Sequence, residues 1–196
     1  MRGWLPGRWV TRIPAPVIEP MSRNHPRRGL TLHNEGVDRV CRPGHVTDLA
    51  HYVNELRINY TFIWCPRCGK WAQLAPMNKA SRAQVGGNVW KGASANKAGT
   101  VNVSVCVAGF GSRDFTAGEM RGAWVLAEIM DRARIPAKAR KTWGSGASRA
   151  VSAWMRGGIQ GHQHGPLDDH TDPGSIDVER LVRVARRQRR KRKARK

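Results

Sequence analysis

The stretch Gly161-His162-Gln163-His164-Gly165-Pro166-Leu167-Asp168-Asp169-His170-Thr171-Asp172-Pro173-Gly174 gathers three of the chain's seven histidines beside an Asp-Pro-Gly turn. Imidazole and carboxylate both bind zinc well, and a catalytic zinc takes three protein ligands while one position stays open to water. The stretch therefore reads as half of a metal site, with a further ligand to come from elsewhere in the chain. His33 is the candidate. It closes the apolar run Leu30-Thr31-Leu32, which reads as a short buried strand delivering a histidine at its carboxyl end.

Between these two regions the pattern alternates strands and helices. Val46 to Leu56, with Thr47 or Asp48 as cap, places Leu49, Val53 and Leu56 on one helical face. Tyr60 to Trp64 and Lys70 to Leu74 read as paired strands around Cys65-Pro66-Arg67-Cys68-Gly69, with Gly69 as the turn glycine. From Ala83 to Thr100 the Gly, Asn, Ala and Ser content predicts a long surface loop near a cleft. Asn96 and Trp90 lie in it and are set aside as site residues, since a loop tryptophan more often covers its own core. Val101 to Val107 alternates valine with Asn102, Ser104 and Cys106, a strand with one strongly apolar face. Thr116-Ala117-Gly118-Glu119 has the form of a capping box opening a helix to about Ala133, with Pro136 just beyond it. Ser148 to Met155 reads as a short helix, Ile159 leads a last strand into His162, and a terminal helix runs from Ile176 to about Arg190. Strands interleaved with helices imply an α/β fold, a mixed central β-sheet flanked by helices, with the metal residues at strand ends and loops along one edge.

A chain of 196 residues suits one such domain, and it has no apolar run approaching the ~20 residues of a membrane span. Met1-Arg2-Gly3-Trp4-Leu5-Pro6 lacks the apolar segment of a secretory signal, so a cytoplasmic location is expected. Four cysteines in such a compartment argue against a disulfide framework. The net charge is +21, and residues 180–196 carry 11 positive charges and no negative one. Long-range attraction to nucleic acid, an anionic membrane or an anionic wall polymer follows from that charge, though charge alone names none of them. The run carries no interleaved aromatics, which removes the base-stacking signal of a single-strand binder.

Taken together, strand-His33, the Tyr60-Thr61-Phe62 strand and the closing Gly161-His162, nine residues, Asp172-Pro173-Gly174 resemble the zinc-dependent N-acetylmuramoyl-L-alanine amidases. That family includes phage amidase lysozymes and the related peptidoglycan recognition proteins. Gln73-Leu74-Ala75-Pro76 and Asn96-Lys97-Ala98-Gly99-Thr100-Val101 fall in the family's order, so the likeness runs from about Trp4 to Val182. It implies an arm at 1–28, an amidase domain at 29–182 and a basic tail at 183–196. It implies that His33, His162 and Asp172 hold a catalytic Zn2+, that Tyr60 supports the reaction near the metal, and that His170 stands where several relatives place a charge-stabilising lysine. The substrate would be peptidoglycan, cut between N-acetylmuramic acid and L-alanine. A phage endolysin would do this as a monomer, waiting in the host cytoplasm until lysis and then acting on the cell wall, with the tail docking on wall polymer or membrane. A non-catalytic muropeptide-binding module and a basic-tailed nucleic-acid-binding protein are the rival readings.

Two positions depart from the family: Cys106 stands where some bacterial relatives carry a catalytic glutamate, and Thr61 replaces a histidine. Only His162 has the family spacing to Asp172, which leaves His164 facing solvent or substrate. The Cys65-Cys68 knuckle, with Cys41 and His45 upstream, has spacing workable for a second, structural zinc or for a plain hairpin turn with reduced thiols.

Overall fold

Seven residues from Val101 to Val107, every one buried, form the central strand of a six-stranded mixed sheet. The computed structural model describes residues 3–23, 25–36, 40–83, 88–90, 93–111, 113–138, 151–166, 170–174 and 176–195, the side chains of 88–90, 93 and 153 excepted. In chain order the elements are β1 (Thr11–Arg12), β2 (Glu19–Pro20), β3 (Arg28–Asn34), α1 (His45–Glu55), β4 (Phe62–Trp64), β5 (Trp71–Gln73), β6 (Lys79–Ala80), β7 (Asn88–Trp90), β8 (Ala93–Ser94), β9 (Val101–Val107), α2 (Trp124–Ala133), α3 (Val151–Trp154), β10 (Gly158–Gly161) and α4 (Val178–Ala194). A turn of 3-10 helix, His162–His164, follows β10 directly.

The sheet order is β1-β5-β4-β9-β3-β10. β4, β9, β3 and β10 run parallel, and β5 is antiparallel to β4. The paired residues His33, Cys106 and Ile63 share one face of the sheet, because residues in register across neighbouring strands point the same way. On that face α1 packs Val46, Leu49, Ala50 and Val53 against Ile63, Ala72 and Cys106. On the other, the four odd-numbered valines of β9 meet Leu30, Leu32, Phe62, Trp64 and the apolar sides of α2 and α4. The expected mixed sheet flanked by helices is thus present, but β9 is covered on both faces: Asn102, Ser104 and Cys106 are as buried as the valines. Parallel strands sit in sheets covered on both sides, so the polar residues of β9 face a second packed layer.

Leu126 of α2 is fully buried in the core cluster that also holds the β9 valines and the apolar side of α4. Leu126→Ala is expected to destabilise the fold by ~2–5 kcal/mol, read as a lower urea midpoint with an unchanged slope.

Several element boundaries differ from the sequence expectation. Helix α2 begins at Trp124, well after Thr116. Residues 116–123 are instead held flat against the β4–β5 hairpin. The indole N–H groups of Trp64 and Trp71 donate to the carbonyls of Arg121 (2.9 Å) and Gly122 (3.0 Å), and Arg121 N donates to the Pro66 carbonyl at 2.8 Å. Gly122 sits at φ +72, and a Cβ there would come within 2.4 Å of the Gly69 carbonyl oxygen. Helix α1 is preceded by Gly44 in the left-handed region with no side-chain cap, and Asp48 pairs with Arg42 at 2.6 Å. The Ala83–Thr100 loop contains the β7–β8 hairpin, and its Ala95 and Ala98 are buried with Trp154. Residues 84–87, 91 and 92 of it, the Trp90 side chain, and residues 148–150 of the expected short helix lie outside the described residues. Helix α4 starts at Val178, where the Asp177 side chain accepts from Arg180 N at 2.7 Å, and continues past Arg190 to Ala194. It docks on α2 through buried Leu181, Val182 and Ala185, through Arg189 to Glu128 (2.6 Å), and through Arg192 over the Trp124 ring (4.0 Å). Among the described residues no helix is long and apolar enough to cross a membrane.

Candidate metal centre and active-site pocket

Adjacent parallel strands β3 and β10 each deliver one histidine at the same end of the sheet. His33 is the sixth residue of β3, and His162 begins the helical turn after β10. Asp172 returns to them on the Asp-Pro-Gly turn. That turn is fixed by Gln163, whose backbone N–H donates to the Asp172 carbonyl (3.0 Å) and whose side chain accepts from Gly174 N (3.0 Å). Asn34 clamps the same turn: its backbone N–H donates to Asp172 Oδ2 (3.3 Å) and its amide to the carbonyls of Gly111 and Pro173 (2.6 and 3.2 Å).

The result is a compact donor set. Asp172 Oδ1 is 3.0 Å from His162 Nδ1, Oδ2 is 3.6 Å from His33 Nδ1, and the ligand atoms of the three residues all lie within 4.8 Å of one another. The two imidazole rings are 4.4 Å apart between centroids. Both histidines are buried, and Asp172 is about a quarter exposed. Burial works to raise the Asp172 pKa, but the hydrogen bonds and charge of His162 and His33 outweigh it and hold the carboxyl well below the ordinary carboxylate range. Two imidazoles and one ionised carboxylate, with an adjoining pocket open to solvent, are the donor set that a catalytic zinc takes.

Tyr60 and His170 stand at the rim of the same pocket. The Tyr60 ring meets His33 edge-on at 5.1 Å, and the exposed His170 ring stacks on His162 at 4.0 Å. Burial pushes the Tyr60 phenol well above its usual value, and neighbouring Cys106, Asp172 and Glu35 push it the same way. The phenol therefore keeps its proton and can act as a donor. Cys106 is fully buried beneath Tyr60, and burial, Glu35 and Asp172 raise its thiol well above normal, which leaves it a neutral group with no acid-base use near neutral pH. Thr61 is also buried, its Oγ1 accepting from Ser104 N at 3.1 Å.

Two expectations need correction. His164 does not face solvent or substrate; it is buried, and its Nδ1 accepts from Gly161 N at 3.2 Å, which closes the helical turn. His45 does not join the cysteines; its Nε2 pairs with Glu35 Oε2 at 3.1 Å, both side chains being almost wholly buried.

Glu35 is the residue the sequence reading missed. It follows β3 by one position, its Oε2 also accepts from Gly109 N at 2.7 Å, and it lines the pocket with Tyr60, His162, His170 and Asp172. A carboxylate two residues beyond the strand histidine is no local signal by itself; what marks Glu35 is its burial against His45 and Gly109 N, which only the fold displays.

The sequence matches no protein-family model and no curated protein. The fold is similar to that of solved structures of AmpD and of the hydrolase AmiA. Selenomethionine AmpD superposes with a TM-score of 0.57 at 17% identity, covering 94% of this chain and 97% of that one. Staphylococcus aureus hydrolase AmiA, solved with its ligand, gives 0.57 at 15% identity over 92% of this chain and 82% of that one. N-acetylmuramoyl-L-alanine amidase LysC from Clostridium intestinale gives 0.49 at 12% identity over 90% and 97%. The fold assignment rests on the first two.

Proposed function

We propose that this protein is a zinc-dependent N-acetylmuramoyl-L-alanine amidase, a peptidoglycan hydrolase of the endolysin type. The observation that carries the reading is the convergence of His33, His162 and Asp172, with ligand atoms within 4.8 Å, at one end of a pocket that also holds Tyr60, His170 and Glu35. The amidase fold and the order of the sequence motifs support the same substrate.

In this reading His33, His162 and Asp172 hold the metal. Zinc, when bound, supplies Lewis acidity toward the amide carbonyl and the attacking water. Glu35, fixed by His45 and Gly109 N, takes the proton that the water gives up. Tyr60, held protonated, donates a hydrogen bond to the developing oxyanion. His170, exposed at the rim and stacked on His162, faces incoming substrate and delivers a donor to the same charge or to the leaving amine. A muropeptide-binding module would not need a buried carboxylate beside a metal triad, which favours the enzyme.

Arg180, Arg183, Arg186, Arg187 and Arg190 line one groove along α4, and this basic face supports docking on anionic wall polymer or a membrane surface, away from the pocket. Delivery to the wall only at host lysis, by a phage chain acting as a monomer, completes the proposal.

Digestion of purified peptidoglycan tests it. The expected products are free L-alanine amino termini with no new reducing sugar ends; binding without release of either would favour the muropeptide-binding module. Tyr60→Phe is expected to keep its zinc and lose roughly 10²-fold in kcat, as for one oxyanion donor. Because the phenol is raised above ~10, wild-type activity should show no tyrosine deprotonation limb below about pH 10; a limb near pH 8 that vanishes in Tyr60→Phe would contradict the donor role.

A further inference from the structure

The cysteine knuckle borders a groove that shares no lining residue with the candidate pocket, and it plays no part in the proposed reaction. Cys65, Cys68 and Cys41 come together there with all three sulfurs within 4.8 Å of one another. Cys41 and Cys65 sulfurs are 3.5 Å apart. That is far beyond a disulfide bond of ~2.05 Å, and close to the ~3.8 Å that tetrahedral geometry with Zn–S bonds of ~2.3 Å sets between two thiolates on one ion.

The local backbone is built to present sulfur to a cation. Gly69 at φ +76 turns the chain, Gly69 N donates to the Cys65 carbonyl (2.8 Å), and Cys65 N closes the loop on the Lys70 carbonyl (3.1 Å). The turn brings the Cys68 sulfur within 4.0 Å of the Cys65 carbonyl oxygen, and the Cys41 sulfur meets both cysteines from the segment before α1. A Cys-x-x-Cys turn of this kind presents two sulfurs to one ion.

We propose that Cys41, Cys65 and Cys68 form a second metal site, selective for a thiophilic divalent cation of the zinc type and independent of the catalytic centre. Cys41 and Cys68 border a groove shared with Arg42, Pro43 and Lys70, which gives water, as fourth ligand, room to complete the shell. The ion joins the segment entering α1 to the β4–β5 hairpin. Four residues after Cys41, His45 holds Glu35, so this staple also steadies the wall of the pocket.

Zinc counting on the full chain tests the site. Dialysed, reduced wild-type protein is expected to carry two zinc ions per chain by elemental analysis, the Cys65→Ser/Cys68→Ser variant one, and the His33→Ala/His162→Ala variant one. A thiol-specific mercurial, with a colorimetric zinc chelator present, should release one ion from the wild type and from the histidine variant and none from the cysteine variant. No mercurial-released zinc from wild type, or a cysteine variant holding as much zinc as wild type, would overturn the proposal. So would recovery of Cys41 and Cys65 as a disulfide from reducing medium. Cobalt-loaded wild type, which depends on no variant folding, should show thiolate-to-cobalt charge-transfer absorption, and its absence would equally overturn the site. The histidine variant scores the catalytic centre separately, so the two readings fail independently.

Discussion

His162→Ala should reduce amide cleavage about 10³-fold or more and remove one metal ion, while leaving the fold in place. Zinc's Lewis acidity is worth several kcal/mol of transition-state stabilisation, and each 1.36 kcal/mol is tenfold in rate. His162 is the ligand to remove because it sits at the centre of the constellation. It hydrogen-bonds Asp172 at 3.0 Å, packs on His33 and carries the stacked His170. The substitution lies on a helical turn after β10 and not within the paired strand, so circular dichroism and the urea midpoint should change little beside the loss of rate. Retention of both zinc and activity in His162→Ala would show that the metal, or the chemistry, is elsewhere.

Glu35→Gln should lower kcat by roughly 10²–10⁴-fold, the usual worth of a positioned general base, with zinc content unchanged because Glu35 is not one of the three ligands. Glutamine keeps an oxygen for Gly109 N and a group of the same size beside His45, so the pocket wall stays in place. What it cannot do is accept a proton. A fall confined to KM, or equal to the loss of stability, would reduce Glu35 to a scaffold for His45; a fall in kcat with zinc content and urea midpoint unchanged supports the base.

The legible parts of this fold were those with strong local signals. β3 with its terminal histidine, the β4–β5 pair around Gly69, the valine strand β9 and the His162 to Asp172 segment all carry period-two alternation or turn chemistry that one sequence displays. The capping-box signal at Thr116 failed because tertiary contacts decide that segment: two tryptophan N–H groups and a glycine-on-glycine contact hold it against the hairpin, and Thr116 Oγ1 instead accepts from Asp177 N at 2.8 Å. The alternation in β9 showed one strongly apolar face but not what its polar residues meet, because alternation cannot distinguish a solvated face from one covered by a second packed layer.

The site divides in the same way. His33, His162 and Asp172 were readable because a histidine-rich stretch beside an Asp-Pro-Gly turn suggests ligand chemistry and the resemblance to the zinc amidases singles out these three, and the structure brings them together. Glu35 was not, since a single carboxylate after a strand has no local signature; only the closure of α1 over the sheet, with His45 and Gly109 converging on it, makes it a buried acid in the pocket. His45 was misjudged for the same reason. Its spacing to Cys41 fits a zinc site, but the helix turns its imidazole to Glu35.

In the proposed reaction a metal held by His33, His162 and Asp172 drives hydrolysis of the bond between N-acetylmuramic acid and L-alanine. The most direct measurement is product formation from peptidoglycan by wild type and Asp172→Ala, each stripped of metal with a chelator and then resupplied with zinc. Stripping is expected to abolish L-alanine amino-terminal release by wild type, zinc to restore it, and Asp172→Ala to stay inactive throughout. Cleavage persisting after the metal has been removed, or restored by zinc in Asp172→Ala, would contradict this role for the metal.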